Sequence, residues 1–241
     1  VLNAVVSMSV PRVLRAELMS IDTSASVWSM TIDPPEGVGR PSFAEDLRKA
    51  RKDPARIGEA RREQVQHSVT NARSLVEQAY PTLELTWEGA QIQSRKYLPF
   101  AEERYPQYVD EIRGIAEGAN VSFDDLIVVN AMEAVTMDAL HLTNCTSMAV
   151  NDERTADGHV LAAHNEDWLP DDEDDVFVIH ATPKDDPPFL SMNYGGLLPN
   201  IGFNARGVAQ MCDSVYPNDS RIGIPRLMVA RAVLASRRIS G

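Results

Sequence analysis

The spacing of apolar residues changes once along this chain, at Asn144-Cys145, and that change limits the fold more than any other feature. Before it, apolar residues recur every third or fourth position. After it they recur every second position, as strands require. In the first half, Ile57, Ala60, Val65, Val69, Ala72, Leu75, Val76 and Ala79 form one stripe, which predicts a helix over 55–79. Pro54 suits its first turn and Pro81 ends it. Ser42-Phe-Ala-Glu45 reads as a capping box that opens an earlier helix. A further helical stretch follows Pro99. After Pro106, Tyr108, Val109, Ile112, Ile115 and Ala116 repeat the helical spacing, with Gly118 as the expected C-cap. Ser122-Phe-Asp-Asp125 starts another helix, carrying Leu126, Val129, Ala134 and Met137.

Beyond Cys145, strands are expected at 147–150, 159–163, 176–181, 189–193 and 208–212, with Asp157-Gly158 as a hairpin turn signal. Pro225 opens a last helix. Helices followed by a meander and a closing helix predict an α+β layered fold. Residues 1–41 show no sustained period and read as an irregular leader. Residues 42–144 form a helical segment, and residues 145–241 a strand-rich one.

Charge excludes several partners. A net charge of −12 argues against nucleic acid and against an anionic membrane surface. No apolar run reaches the roughly 20 residues of a membrane span. Val1 to Val10 is broken by Asn3, Ser7 and Ser9 and reads as no signal peptide, so a cytoplasmic location is expected. Two cysteines make no disulfide framework.

Cys145 stands at the mouth of the predicted hairpin, and His164-Asn165-Glu166-Asp167-Trp168 stands at the other side. A turn centred near Ala156 pairs residues whose numbers sum to about 312. Cys145 then faces Asp167, with His164 and Asn165 close by. Directly opposed Cβ atoms lie about 5 Å apart. A cysteine attacks as its thiolate and needs a base, because its resting pKa is near ~8.5. His164 or a free α-amino group would serve, with Asp167 orienting it. The alternative is a buried cysteine acting as a small hydrophobe.

The run Asn144-Cys-Thr-Ser147, the hairpin and His164-Asn-Glu-Asp-Trp168 resemble the acyl-coenzyme A:6-aminopenicillanic acid acyltransferase family, also called isopenicillin-N acyltransferase-like. That family belongs to the N-terminal nucleophile hydrolases. Tyr105-Pro106-Gln-Tyr108, with Gly114 and Gly118, resembles its helical pro-region, and Gly202-Phe-Asn204-Ala-Arg-Gly207 a later motif.

The resemblance implies an αββα sandwich and a zymogen-like precursor that cleaves itself between Asn144 and Cys145. Residues 42–144 would then be a pro-region and Cys145 the start of a β-chain. The freed α-amine becomes the base for its own thiol, and Asp167 hydrogen-bonds that amine. The backbone amide of Asn204 helps form an oxyanion hole. Thr146 and Ser147 match small hydroxyl residues beside the nucleophile, and relatives such as the ceramidases have Arg at the position of His164.

The implied activity is hydrolysis of a linear amide, peptidase-like, or acyl transfer, with acyl-coenzyme A as a candidate substrate and no cofactor. Self-association of the cleaved chains, or a homo-oligomer, is left open. The family continues past the last helix to a strand whose Asn side chain completes the oxyanion hole. A C-terminally truncated chain is therefore expected, and the alternative function is an inactive binding or structural relative.

Other features read more plainly. Cys212 is expected in the core. The acidic run Asp171 to Asp175 reads as a solvated loop, without the Gly and spaced Glu of a calcium loop. His159, His164 and His180 show no zinc-ligand spacing, so no metal is expected. Asn120, Asn144 and Asn218 lie in glycosylation sequons, uninformative without secretion.

Overall fold

The computed structural model describes residues 54–137, 144–156, 158–167, 170–183, 185–215, 219 and 221–239. The predicted leader, the capping box at Ser42, Asp157, Trp168 and the side chains of Asn144 and Asp167 lie outside what it describes.

The helical half runs α1 (Pro54–Ala60), α2 (Arg62–Gln78), α3 (Tyr80–Leu83), α4 (Trp87–Arg95), α5 (Leu98–Arg104), α6 (Pro106–Ala119) and α7 (Phe123–Asn130), then one π-helical turn over Glu133–Met137. The single stripe predicted over 55–79 is interrupted at Arg61. Gly118 does not cap α6. Asn120 does so, in the left-handed region at φ 57°. Gly118 instead permits close approach of α1: a Cβ there would sit 1.8 Å from the Ala55 carbonyl oxygen, and one on Gly58 2.1 Å from that of Ile115. The predicted start at Ser122 holds, with its hydroxyl accepting from the Asp125 amide at 3.0 Å. Helix α4 has no counterpart in the sequence reading. Thr86 caps it, accepting from Gly89 N at 3.1 Å.

The strand-rich half forms two antiparallel sheets. One is the hairpin β1 (Asn144–Val150) and β2 (Leu161–Asp167). The other is a meander of β3 (Val176–Ala181), β4 (Phe189–Tyr194), β5 (Ile201–Asn204) and β6 (Ala209–Gln210). Helix α8 (Arg226–Ala235) closes the order. Helices and antiparallel sheets together give the expected α+β character. Strand β5 has no counterpart among the expected strands and takes in the first part of the Gly202-Phe-Asn204-Ala-Arg-Gly207 motif.

The core joins the two halves. Val65, Val76, Ile112 and Leu126 pack with Tyr194, Leu198 and Met228 in one buried cluster. Asn130, 3% exposed, ties them by hydrogen bonds. Its amide donates to Leu126 O and Gly196 O, both at 2.9 Å, and its carbonyl accepts from Leu198 N at 2.8 Å. That satisfies a buried polar group that would otherwise be costly.

The acidic run is not a solvated loop. It forms a 3₁₀ turn over Pro170–Asp175 packed on α2. Asp172 and Asp175 are buried there. Asn71 Nδ2 donates to Asp172 Oδ1 at 2.7 Å, and His67 Nδ1 lies 3.0 Å from both Asp175 carboxylate oxygens. Burial pushes the Asp175 carboxyl up to about 6, against the lowering effect of His67. Among the described residues, no helix is long and apolar enough to cross a membrane.

Candidate active site

The hairpin pairs Cys145 with Glu166, and Asn144 with Asp167. The expected register is off by one residue. The connection is not a tight turn at 157–158 but residues 151–160, with a 3₁₀ turn at Asp152–Arg154 that shifts the centre to a sum of 311. A shift of one exchanges the two faces. Cys145 and Ser147 therefore share a face with His164 and Glu166.

That face is a hydrogen-bonded cluster. The Cys145 thiol donates to Glu166 Oε2 at 3.5 Å. His164 Nε2 lies 2.7 Å from the same oxygen. The Tyr194 hydroxyl donates to the other oxygen, Oε1, at 2.9 Å. Ser147 Oγ lies 2.9 Å from His164 Nδ1. His164 and Glu166 are buried, and Cys145 is half-buried. Burial, then the Glu166 carboxylate, raises the Tyr194 phenol well above its ordinary range, so it stays a donor. Glu166 is thus anchored at one oxygen by Tyr194 and shares the other between thiol and imidazole. A carboxylate held so can take a thiol proton and pass charge to the imidazole.

The remaining predicted residues fall elsewhere. Thr146 is exposed and pairs with Asn165 across the ladder. Asp167 stands at a register position opposite Asn144. The Asn204 amide, expected in an oxyanion hole, donates to Val208 O at 2.9 Å. Its side chain is equally committed: Nδ2 donates to Leu234 O at 2.9 Å and Ser236 O at 2.7 Å, while Oδ1 accepts from Arg206 N at 2.9 Å. In this arrangement Asn204 fastens the β5–β6 turn to the end of α8 and offers no donor to an oxyanion. Cys212 is half-buried, with Gln210 Nε2 3.2 Å from its sulfur, rather than in the core. His159, His164 and His180 lie in the loop before β2, in β2 and in β3 of the other sheet.

Sequence reasoning missed Glu166 and Tyr194. Glu166 was within reach, because strand alternation puts it on the face of His164 once that histidine is singled out. Tyr194 sits 28 residues further on and needed the fold.

A cavity of about 540 Å³ adjoins the cluster. Tyr194 and Asp213 line it, and Asp213 Oδ1 is 4.0 Å from His164 Nδ1. Glu133, on the π-helical turn, and Arg226, at the start of α8, form an ion pair in its wall. Arg226 Nη1 has no hydrogen-bond partner among the described residues.

Comparison with known proteins finds a matching family and partial relatives. Residues 154–240 match the family described as acyl-coenzyme A:6-aminopenicillanic acid acyl-transferase. That span includes His164, Glu166 and Asp167 and begins after Cys145. The beta-alanyl-dopamine/carcinine hydrolase of Drosophila melanogaster is 27% identical over 172 residues, covering 63% of this chain and 43% of the relative. The acyl-coenzyme A:6-aminopenicillanic-acid-acyltransferase 40 kDa form of Emericella nidulans is 23% identical over 137 residues, covering 56% and 37%. The chain spans less than half the length of either relative. The resemblance read from the hairpin sequence is thereby borne out: over residues 154–240 this chain matches the acyl-coenzyme A:6-aminopenicillanic acid acyltransferase family.

Proposed function

We propose that the chain is part of a self-processing cysteine amidohydrolase or acyltransferase with Cys145 as nucleophile. One observation carries this reading. The hairpin register sets the Cys145 thiol against the Glu166 carboxylate, which is itself held by His164 and Tyr194. The family match and the two enzyme relatives support it.

In the uncleaved chain the Cys145 nitrogen is an amide and cannot act as a base. Glu166 Oε2 takes the thiol proton, and His164 stabilises the result. The thiolate attacks the Asn144 carbonyl carbon and forms a C–S bond. The Asn144–Cys145 C–N bond breaks, and its nitrogen takes the proton. Water then hydrolyses the thioester, leaving Asn144 with a carboxylate and Cys145 with a free α-amine. In the processed enzyme that amine, whose pKa in water is near ~8, is the base for its own thiol. Asp167 holds the amine, a role carried over from the family resemblance.

Substrate attack repeats the chemistry. The thiolate adds to an amide carbonyl, the amine leaves with the proton, and an acyl thioester remains on Cys145. Water completes a hydrolysis, and an amine acceptor completes a transfer. An acyl-coenzyme A thioester enters the same way, with the thiol as leaving group. The cavity wall at Arg226 suits an acceptor oxygen on the substrate. A β-alanyl amine, the type of compound in the fly relative's name, is a first substrate to test.

Incubation with N-acyl amines, acyl-coenzyme A and an acylating probe, followed by intact-mass analysis, tests the proposal. An acyl adduct on wild type that is absent from Cys145→Ala is expected. A folded wild-type chain that takes up no acyl group from any of them would defeat the proposal.

A further inference from the structure

The Cys145 cluster carries a second reading that acyl chemistry does not require. Cys145 Sγ, a ring nitrogen of His164 and a carboxylate oxygen of Glu166 all lie within 4.8 Å of one another. The outer atoms of two of these groups are already occupied. Ser147 Oγ meets His164 Nδ1 at 2.9 Å, and the Tyr194 hydroxyl meets Glu166 Oε1 at 2.9 Å. The inner atoms therefore converge on one point, while their orientation is fixed from outside. This is the arrangement of a metal site with its supporting hydrogen bonds.

We propose that Cys145, His164 and Glu166 bind a zinc ion, with a fourth position left to water. Thiolate, imidazole and carboxylate are the donors zinc takes, and three protein ligands plus water is a common set. Zinc bonds of about 2.0–2.3 Å imply donor separations of roughly 3.3–3.6 Å. The sulfur already stands 3.5 Å from Glu166 Oε2; His164 Nε2, at 2.7 Å from that oxygen, moves outward by less than an ångström, and the sulfur and the imidazole, within 4.8 Å of each other, settle to the same range. Calcium and magnesium do not suit a thiolate. Half-burial of Cys145 leaves a path for the ion.

The proton balance is simple. Binding releases the thiol proton to solvent. On binding, the imidazole proton moves from Nε2, where it bridges to Glu166 Oε2, to Nδ1, where it donates to Ser147 Oγ, so that Nε2 is free to ligate. The bound ion holds the sulfur lone pair that would otherwise attack carbon. Zinc thus restrains the nucleophile, and a chelator releases it. The donor set stands on side-chain geometry alone and does not depend on cleavage at Asn144.

The 241-residue chain is dialysed against zinc and its metal content measured. Cobalt(II) is used in parallel, because a thiolate ligand gives a near-ultraviolet charge-transfer band. Intact mass reports separately whether the 144–145 bond is cut. The expected result is one zinc per chain and a cobalt band in wild type. The band is lost in Cys145→Ser, and binding weakens at least tenfold in His164→Ala. Ser147→Ala and Tyr194→Phe, which keep all three ligands, weaken binding about tenfold through orientation. A wild-type chain without the band, or zinc retained equally by Cys145→Ser and His164→Ala, would overturn the site. Because the wild-type band needs no variant to fold, and needs no turnover, its absence counts against zinc and leaves the acyl chemistry standing.

Discussion

Two buried carboxylates, Glu166 and Asp175, stand out at the level of single residues. Glu166 is the hub of the cluster, since it touches Cys145, His164 and Tyr194. Glu166→Gln keeps the shape and removes the proton acceptor. We expect acylation of Cys145 in the uncleaved chain to slow by about 10²-fold, in the range for losing a positioned base. The rate of adduct formation by mass spectrometry checks it, with Asp152→Asn, an exposed position in the connection, as control. Asp175 acts on stability instead. Its folded-state value is raised to about 6 from an ordinary 3.8. The folded state therefore binds a proton more readily than the unfolded state between those values. This part of stability is greatest below pH 4 and falls as pH rises to about 6. Asp175→Asn should flatten that slope, as measured by denaturant midpoints across pH 4 to 7.

Elements explain which expectations failed. The helical stripe on α6 and the Ser122 cap were legible because local chemistry determines both. The C-cap was misplaced because Gly118 answers to a neighbour, α1, rather than to its own helix end. Helix α4 buries only Trp87, Ala90 and Ser94, too few apolar positions for a stripe to show. Strand β3 came out at its observed limits, since Phe177 and Ile179 alternate there as the buried face. The hairpin register did not, because an irregular connection sets it. Two variants probe these elements. Gly118→Val should unfold or severely destabilise the protein, because its Cβ would meet the Ala55 carbonyl at 1.8 Å. Ser122→Ala should cost about 1 kcal/mol through loss of the α7 cap. Thermal melts separate the two.

At the scale of the whole molecule, the helical half is the platform for the sheet and its site. Asn130 and Ser68 bond the Gly195–Leu198 turn, just after Tyr194, and so set where that tyrosine meets Glu166. The α+β class was readable from the single change of period. The cluster was readable only in part: Cys145 and His164 stood out as chemical types. Glu166 and Tyr194 acquire meaning only when β2 and β4 are brought together. The helices also frame the cavity through Glu133, so loss of residues before Asn144 should alter substrate binding as well as folding.

Self-cleavage tests the central claim most directly. Wild type and Cys145→Ala are purified side by side and their intact masses followed over time. Wild type should yield a fragment beginning at Cys145, while the variant stays whole. A folded wild-type chain that stays uncut between Asn144 and Cys145 would contradict the account.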